Sequence, residues 1–170
     1  MQKSTWILTM VLCLLVMGAF GCAKKQTAPD TTQDASWEEQ ERQRLARERE
    51  LQERLGRLSQ ELSQMVFFDF DRYDLKPEAR TILTRKAEIL QSNPDVKLII
   101  EGNCDERGTA EYNLALGERR ARAAAQYLVN QGVTATRLST LSYGKERPLN
   151  PAHNEAAWAQ NRRDEFRATY

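Results

Sequence analysis

The spacing of apolar residues along 66–170 alternates between the periods of strands and helices, and this alternation constrains the fold more than any other feature. The apolar run from Val66 to Phe70 predicts a first strand. Pro77 suits the first turn of the helix that follows, where its missing N–H breaks no hydrogen bond, and Asn93-Pro94 ends that helix. The buried face of this helix is predicted at Ala79, Ile82, Leu83, Ala87 and Leu90.

The same alternation continues toward the C-terminus. Thr109 is a suitable N-cap for a second helix, and Gly132 suits the position just beyond its end. Further strands are predicted at Val96–Ile100, Leu138–Tyr143 and Arg163–Tyr170. Small residues would let the second helix approach a sheet closely, and its buried stripe is predicted at Leu114, Gly117, Ala121, Ala124 and Leu128.

The element order is therefore β-α-β-α-β-β, with a short helix before the last strand. This order predicts an α/β sandwich in which two helices pack on one side of a small mixed sheet. One such domain with extensions accounts for the 170 residues. Because 25 Lys and Arg oppose 24 Asp and Glu, the formal net charge is +1, which argues against a nucleic-acid-binding protein. The single histidine excludes a multi-histidine metal site.

Residues 1–21 have the features of a signal peptide. Lys3 supplies a positive charge, and the apolar run from Trp6 to Met17 is too short to span a bilayer. The small residues of Ala19-Phe20-Gly21 before Cys22 resemble a bacterial lipobox, which predicts cleavage before Cys22 and lipidation of this cysteine. The alternative is an ordinary cleavable signal followed by an incidental cysteine.

Two extensions lie between the signal peptide and the folded domain. Residues 22–36 are polar and lack apolar periodicity, which predicts a flexible tether. Residues 37–65 carry opposite charges four positions apart, which favours a helix. This helix is either a solvated spacer or, through a heptad seam within 48–65, the site of self-association of a structural envelope lipoprotein. The seam consists of Leu51, Leu55, Leu58, Leu62 and Met65.

The polar segment from Gly102 to Gly108 lies between a predicted strand and a predicted helix, a common place for ligand contacts. Asp105 lies in this segment, and Asn113 and Arg120 share one face of the following helix. Helical side chains lean toward the N-terminus, so Arg120 can reach back toward Asp105. An acid beside a guanidinium can bind a zwitterion, taking its ammonium and carboxylate respectively. The alternative is a plain intramolecular salt bridge.

A cysteine hydrolase is the enzymatic alternative, with Cys104 as nucleophile and His153 as general base. No sequence feature orients the imidazole. After cleavage of the signal and lipidation of Cys22, Cys104 is the remaining thiol. We therefore expect a binding protein and not an enzyme.

The segment from Gly102 to Ala121 resembles the peptidoglycan-associated lipoproteins of Gram-negative bacteria, members of the OmpA-like C-terminal domain family. The resemblance covers about residues 64–170 and identifies 66–170 as an OmpA-like peptidoglycan-binding domain. Further matching stretches are Val66-Phe67-Phe68-Asp69, Gly132-Val133, Ser142-Tyr143-Gly144-Lys145-Glu146-Arg147-Pro148 and Asn161-Arg162-Arg163.

The resemblance implies an outer-membrane protein, lipid-anchored on the periplasmic side through Cys22, that binds peptidoglycan non-covalently through the diaminopimelate of its stem peptide. It implies a place in the Tol–Pal system, which helps the outer membrane follow the septum during division, with TolB as protein partner. No cofactor is expected beyond the covalent lipid. By this resemblance, Asp105 and Arg120 contact the ligand. The residues expected to line or support the pocket are Asn113, Arg163, Phe68 and Asp69.

Two residues depart from the family pattern. The family usually has His, and Thr or Ala, where this chain has Asn103 and Cys104. Because Asn103 can still form hydrogen bonds, we expect the pocket to survive. Cys104 adds an oxidisable thiol beside Asp105.

Overall fold

A computed structural model describes residues 31–170, with side chains from Ser36 onward. The predicted signal peptide, Cys22 and most of the predicted tether lie outside the described residues. The chain divides into two compact units, the first ending at Ala46 and the second running from Arg47 to Tyr170. Within the described part, no helix is both long enough and apolar enough to cross a membrane.

Helix α1 spans Thr31–Leu62. It therefore begins inside the stretch 22–36 that was predicted as tether and ends before the predicted limit at residue 65. The ion pairs of its first unit join positions three apart, Glu39 with Arg42 and Glu41 with Arg44. All four side chains are largely exposed, so these pairs contribute little to stability.

The last turns of α1 belong to the core of the second unit. Leu62 is fully buried in the hydrophobic core, and Leu58 packs against it, whereas Leu51 is exposed. The Nζ atom of the buried Lys86 donates a hydrogen bond to the Leu62 carbonyl, which caps the helix end. Burial lowers the pKa of Lys86 to about 7. This end of the predicted seam is therefore neither a solvated spacer nor a free dimer face, because its leucines are covered by their own domain.

Four strands form one mixed sheet in the order β1-β4-β2-β3. Strand β4 pairs antiparallel with both β1 and β2, and β2 pairs parallel with β3. Strand β1 ends three residues before its predicted limit, after which the chain turns through Asp71 at a positive φ of 57°. The strands are β1 (Val66–Phe67), β2 (Lys97–Asn103), β3 (Leu138–Gly144) and β4 (Arg163–Thr169).

Two long helices, α2 (Pro77–Ser92) and α3 (Ala110–Asn130), pack on the sheet, and a short α4 (Glu155–Asn161) precedes β4. The predicted fold class and element order are thus confirmed. Thr109 caps α3 by accepting a hydrogen bond from the Tyr112 N–H, and Gly132 follows the helix with a positive φ of 95°.

Helix α3 lies against the sheet at near backbone contact. A Cβ atom on Gly102 of β2 would come within 2.1 Å of the Gly117 carbonyl oxygen, so both positions require glycine. The predicted small-residue stripe is confirmed from Gly117 to Leu128. Leu114 is an exception: it is exposed, and its neighbour Asn113 is buried in its place. This shift by one position puts a polar side chain beside the end of β2.

Candidate ligand-binding cleft

A cleft of about 160 Å³ opens where β2 ends and α3 begins. The loop after β1 forms one wall, and the loop between β2 and α3 forms the other. The cleft brings together the sequence-predicted Asp105, Asn113 and Arg120. Its lining consists of Phe70, Asp71, Cys104, Asp105, Arg107, Gly108, Tyr112, Asn113, Leu116, Arg120 and Arg162.

Asp105 is the buried acid of the cleft, with 4% of its surface exposed. Its Oδ2 accepts hydrogen bonds from Arg107 Nη2 at 2.7 Å and Arg162 Nη1 at 3.2 Å. Its Oδ1 accepts from the backbone N and the Nε of Arg107 at 3.1 and 3.2 Å. Burial alone would raise the pKa of Asp105, but the hydrogen bonds from the two arginines outweigh burial and lower it. Asp105 is therefore a carboxylate at neutral pH.

The Arg120 side chain, which the sequence places on one helix face with Asn113, is completely buried. Its Nε donates to the Arg72 carbonyl at 2.8 Å, and its Nη2 donates to the Asp69 carbonyl at 3.1 Å. Its Nη1 donates to the Asn103 carbonyl at 2.9 Å and to Cys104 Sγ at 3.4 Å. The guanidinium thus ties the loop after β1 to the end of β2.

This geometry limits what Arg120 can offer a ligand. A guanidinium has five N–H donors, and four of them are used within the chain. Burial lowers the pKa of Arg120, but an arginine side chain keeps its charge in proteins. One N–H of Arg120 therefore remains for a ligand carboxylate, so Arg120 cannot hold a carboxylate through two N–H groups without giving up a contact within the chain.

The plain salt bridge between Asp105 and Arg120 is not formed. Asp105 pairs instead with Arg107 and Arg162, neither of which the sequence analysis singled out. Arg107 lies two residues beyond Asp105, and Arg162 precedes β4, where it also pairs with Glu155 at 2.8 Å. The sequence signal for Arg162 is the Asn161-Arg162-Arg163 motif, in which the sequence analysis assigned the supporting role to Arg163.

The remaining predicted residues differ in their relation to the cleft. Asn113 is buried, and its Nδ2 donates to the carbonyls of Arg107 and Thr109, which holds the loop against α3. The Phe68 ring lies 5.0 Å from the guanidinium carbon of Arg120. Asp69 is exposed and pairs with Lys76. Arg163 does not line the cleft, because it lies on the sheet face where it pairs with Glu165.

A family model described as the OmpA family matches residues 67–162, more than half of the chain.

The chain belongs to the OmpA family.

Its OmpA-family region is 52% identical over 101 residues to the peptidoglycan-associated lipoprotein of Pseudomonas putida, a match that covers 59% of this chain and 60% of that one. It is 51% identical over 98 residues to the protein of the same name from Haemophilus influenzae, covering 58% of this chain and 64% of that one. The chain thus spans about three fifths of the length of these relatives. The predicted resemblance is confirmed.

Solved structures of OmpA-like domains agree with the fold. The crystal structure of the peptidoglycan-associated lipoprotein from Burkholderia pseudomallei is 43% identical, covers 62% of this chain and 90% of its own, and has a TM-score of 0.61. The C-terminal domain of Helicobacter pylori MotB is 23% identical with a TM-score of 0.59, and supports the fold alone.

The OmpA-family assignment agrees with the expectation that the chain is not an enzyme. Cys104 is buried, and burial is the main cause that raises the pKa of its thiol to about 11, so it is a poor nucleophile at neutral pH. His153 is exposed and contacts Glu106 through Nδ1. Among the described residues, no cluster of His, Cys, Asp and Glu is arranged to hold a metal ion.

Proposed function

We propose that the OmpA-like domain binds peptidoglycan non-covalently by taking the free zwitterionic end of a diaminopimelate side chain into the cleft. The observation that carries this proposal is a buried, ionised carboxylate and a buried guanidinium lining the same small cleft, Asp105 and Arg120. The relatives named peptidoglycan-associated lipoproteins support it.

The two ends of the ligand have different partners in this proposal. The ammonium group binds Asp105, whose negative charge is maintained by the arginines around it. The carboxylate accepts the remaining N–H of Arg120. The lysine of other cell walls has the ammonium group without the carboxylate, so it satisfies one half of the cleft.

The proposal extends to the whole protein. Lipidation at Cys22 would hold the chain in the outer membrane on its periplasmic side, and the cleft would link that membrane to the wall. We place the protein in the Tol–Pal system with TolB as its partner, which connects the wall contact to envelope integrity and to constriction at division. The lipobox motif and the named relatives support this extension.

Binding is tested by co-sedimentation of the full-length chain, kept soluble in detergent, with purified sacculi. The expected result is sedimentation with diaminopimelate-containing wall and at least tenfold weaker retention on lysine-containing wall, because the loss of one charge-assisted contact costs about 1.5–3 kcal/mol. Equal retention on the two walls would contradict the proposed ligand.

The anchor is tested separately by metabolic labelling with a palmitate analogue. The Cys22→Ser chain should incorporate no label, whereas Cys13→Ser should be labelled like the natural chain because that cysteine lies in the predicted signal peptide. Labelled Cys22→Ser protein would disprove the lipid anchor and leave the wall-binding proposal untouched.

A further inference from the structure

Arg107 lies at the cleft and already holds the carboxylate that the proposed ligand needs. Three of its N–H groups donate to Asp105, from the backbone N, the Nε and the Nη2 atoms. Arg162 Nη1 supplies a fourth hydrogen bond. A carboxylate has about four acceptor positions, so Asp105 has no position left for an incoming ammonium group.

The two arginines on Asp105 differ in how firmly they are held. The side chain of Arg162 is 7% exposed and is fixed on other sides by the Phe68 carbonyl at 3.1 Å and by Glu155. The side chain of Arg107 is 30% exposed. Displacing Arg162 would break buried contacts. A ligand that binds Asp105 would therefore displace Arg107 and not Arg162.

The Arg107 guanidinium has other partners close by that it can keep when it leaves Asp105. Its guanidinium carbon lies 3.9 Å from the centre of the Phe70 ring and 4.2 Å from that of Trp158. Its Nη1 lies 3.6 Å from a carboxylate oxygen of Glu155. The stacking and this second acid remain available after a small rotation, so the guanidinium does not have to be released into water unpaired.

We propose that Arg107 is an internal competitor of the ligand, occupying on Asp105 the place of the ligand's ammonium group until the ligand displaces it. This inference rests on the proposed function. Arg107 thereby sets the threshold for binding: a cation that cannot replace two side-chain hydrogen bonds from a guanidinium does not enter. The cleft therefore selects ligands by their ability to displace Arg107 from Asp105, as well as by their shape.

The expected gain in affinity follows from the fraction of molecules in which Arg107 has left Asp105, here called the open form of the cleft; in the closed form Arg107 is bound to Asp105. A partly exposed ion pair favours its closed form by about fivefold. The apparent affinity is reduced by the fraction of molecules that are competent to bind. Removal of the competing side chain should therefore tighten binding by about fivefold.

The test is calorimetric titration of the full-length chain in detergent with a soluble stem peptide ending in meso-diaminopimelate. The natural chain is compared with Arg107→Gln, which removes the charge, and Arg107→Lys, which keeps it. Arg122→Gln is the matched control, because Arg122 is exposed and pairs with Glu118 away from the cleft. In parallel, the Nε–Hε resonance of Arg107 is followed by NMR during the titration.

The expected result is about fivefold tighter binding by Arg107→Gln, with Arg107→Lys between the two and Arg122→Gln unchanged. The Arg107 resonance of the natural chain should shift on saturation as the side chain leaves Asp105. Unchanged or weaker binding by Arg107→Gln would overturn the inference, because Arg107 would then be a bystander or a ligand contact. Absence of binding by the natural chain would instead overturn the proposed function, and the inference with it.

Discussion

Asp105 and Asp164 are both buried aspartates, yet their surroundings shift their pKa values in opposite directions. Asp105 is held by two arginines that lower its pKa below the usual value despite its burial. Asp164 is completely buried in β4, and neither of its carboxylate oxygens has a hydrogen-bond partner among the described residues. Burial raises the pKa of Asp164 well above the usual value, and the charge of Arg120 offsets only part of this.

The difference shows that burial alone does not make a binding site. An ionised carboxylate inside a protein needs cationic hydrogen-bond donors around it, and the chain supplies them at Asp105 and not at Asp164. Asp105 therefore presents a fixed negative charge to the cleft, whereas burial favours the protonated form of Asp164. The two sites should respond in opposite directions to substitution and to pH.

The largest expected effect comes from breaking the ion pair at Asp105 from its buried side. Arg162→Ala removes one partner of Asp105 and also the donor to the Phe68 carbonyl. Loss of one member of a buried pair costs about 3–5 kcal/mol, so we expect a decrease of about 3 kcal/mol in the free energy of unfolding in urea, since Arg107 remains. Arg122→Ala, on the exposed face of α3, should change it by less than about 0.5 kcal/mol. Equal losses in the two variants would contradict a role for Arg162 in holding the carboxylate.

Asp164→Val should change the free energy of unfolding in the opposite direction. Replacement of a buried, unpartnered polar group by an apolar side chain should raise the free energy of unfolding at pH 7 by about 1–3 kcal/mol. Because the pKa of Asp164 is raised in the folded chain, the folded chain holds this proton more tightly than the unfolded chain does, and the natural chain loses stability as pH rises above the unfolded pKa of about 4. The gain should accordingly be larger at pH 7 than at pH 4. A destabilised variant would show that Asp164 has a partner that stabilises its charge.

Asp105→Asn should give a smaller loss with the reverse dependence on pH. The lowered pKa of Asp105 contributes stability that is present above the unfolded pKa of about 4 and is lost as pH falls through the folded value. We expect the variant to be about 1–2 kcal/mol less stable at pH 7, with the difference shrinking in urea titrations below about pH 4. A loss independent of pH would mean that shape, and not charge, holds this position.

The smallest effect concerns Cys104, the residue adjacent to Asp105 in the sequence. Burial is the main cause of its raised pKa of about 11, and the charge of Arg120 acts in the opposite direction. At pH 8 the thiol should react with a disulfide reagent at least tenfold more slowly in the folded than in the denatured chain. Similar rates would show that the cleft opens freely.

The sequence predicted the fold well because its signals were local. Pro77, Thr109 and Gly132 act within one helical turn of their own position, and strand alternation marked Leu98 and Ile100 correctly. The burial of Arg120 has no local signal in the sequence, because its partners come from the loop after β1, about 50 positions earlier in the chain.

The site was predicted only in part, because some of its residues have local sequence signals and others are positioned by contacts with distant parts of the chain. Asp105 could be found from its place between a strand and a helix, and the family resemblance pointed to Arg120. Arg162 was missed because the local sequence does not distinguish it from Arg163: Arg162 lies just before β4 and contacts Asp105, which is distant in sequence, whereas Arg163 is the first residue of β4 and pairs with Phe67 of β1. Asp164 had a readable signal, since it alternates with Phe166 and Ala168 on the core side of β4.

The central claim, that the charge of Asp105 binds the ligand, is tested most directly by one matched pair of variants. Asp105→Asn and Asp164→Asn make the same chemical change at two buried aspartates, and both are titrated with the diaminopimelate stem peptide after circular dichroism has shown that they fold. The account predicts that Asp105→Asn binds at least tenfold more weakly than the natural chain, while Asp164→Asn binds within about twofold of it. Equal binding by the folded Asp105→Asn chain and the natural chain would contradict the account.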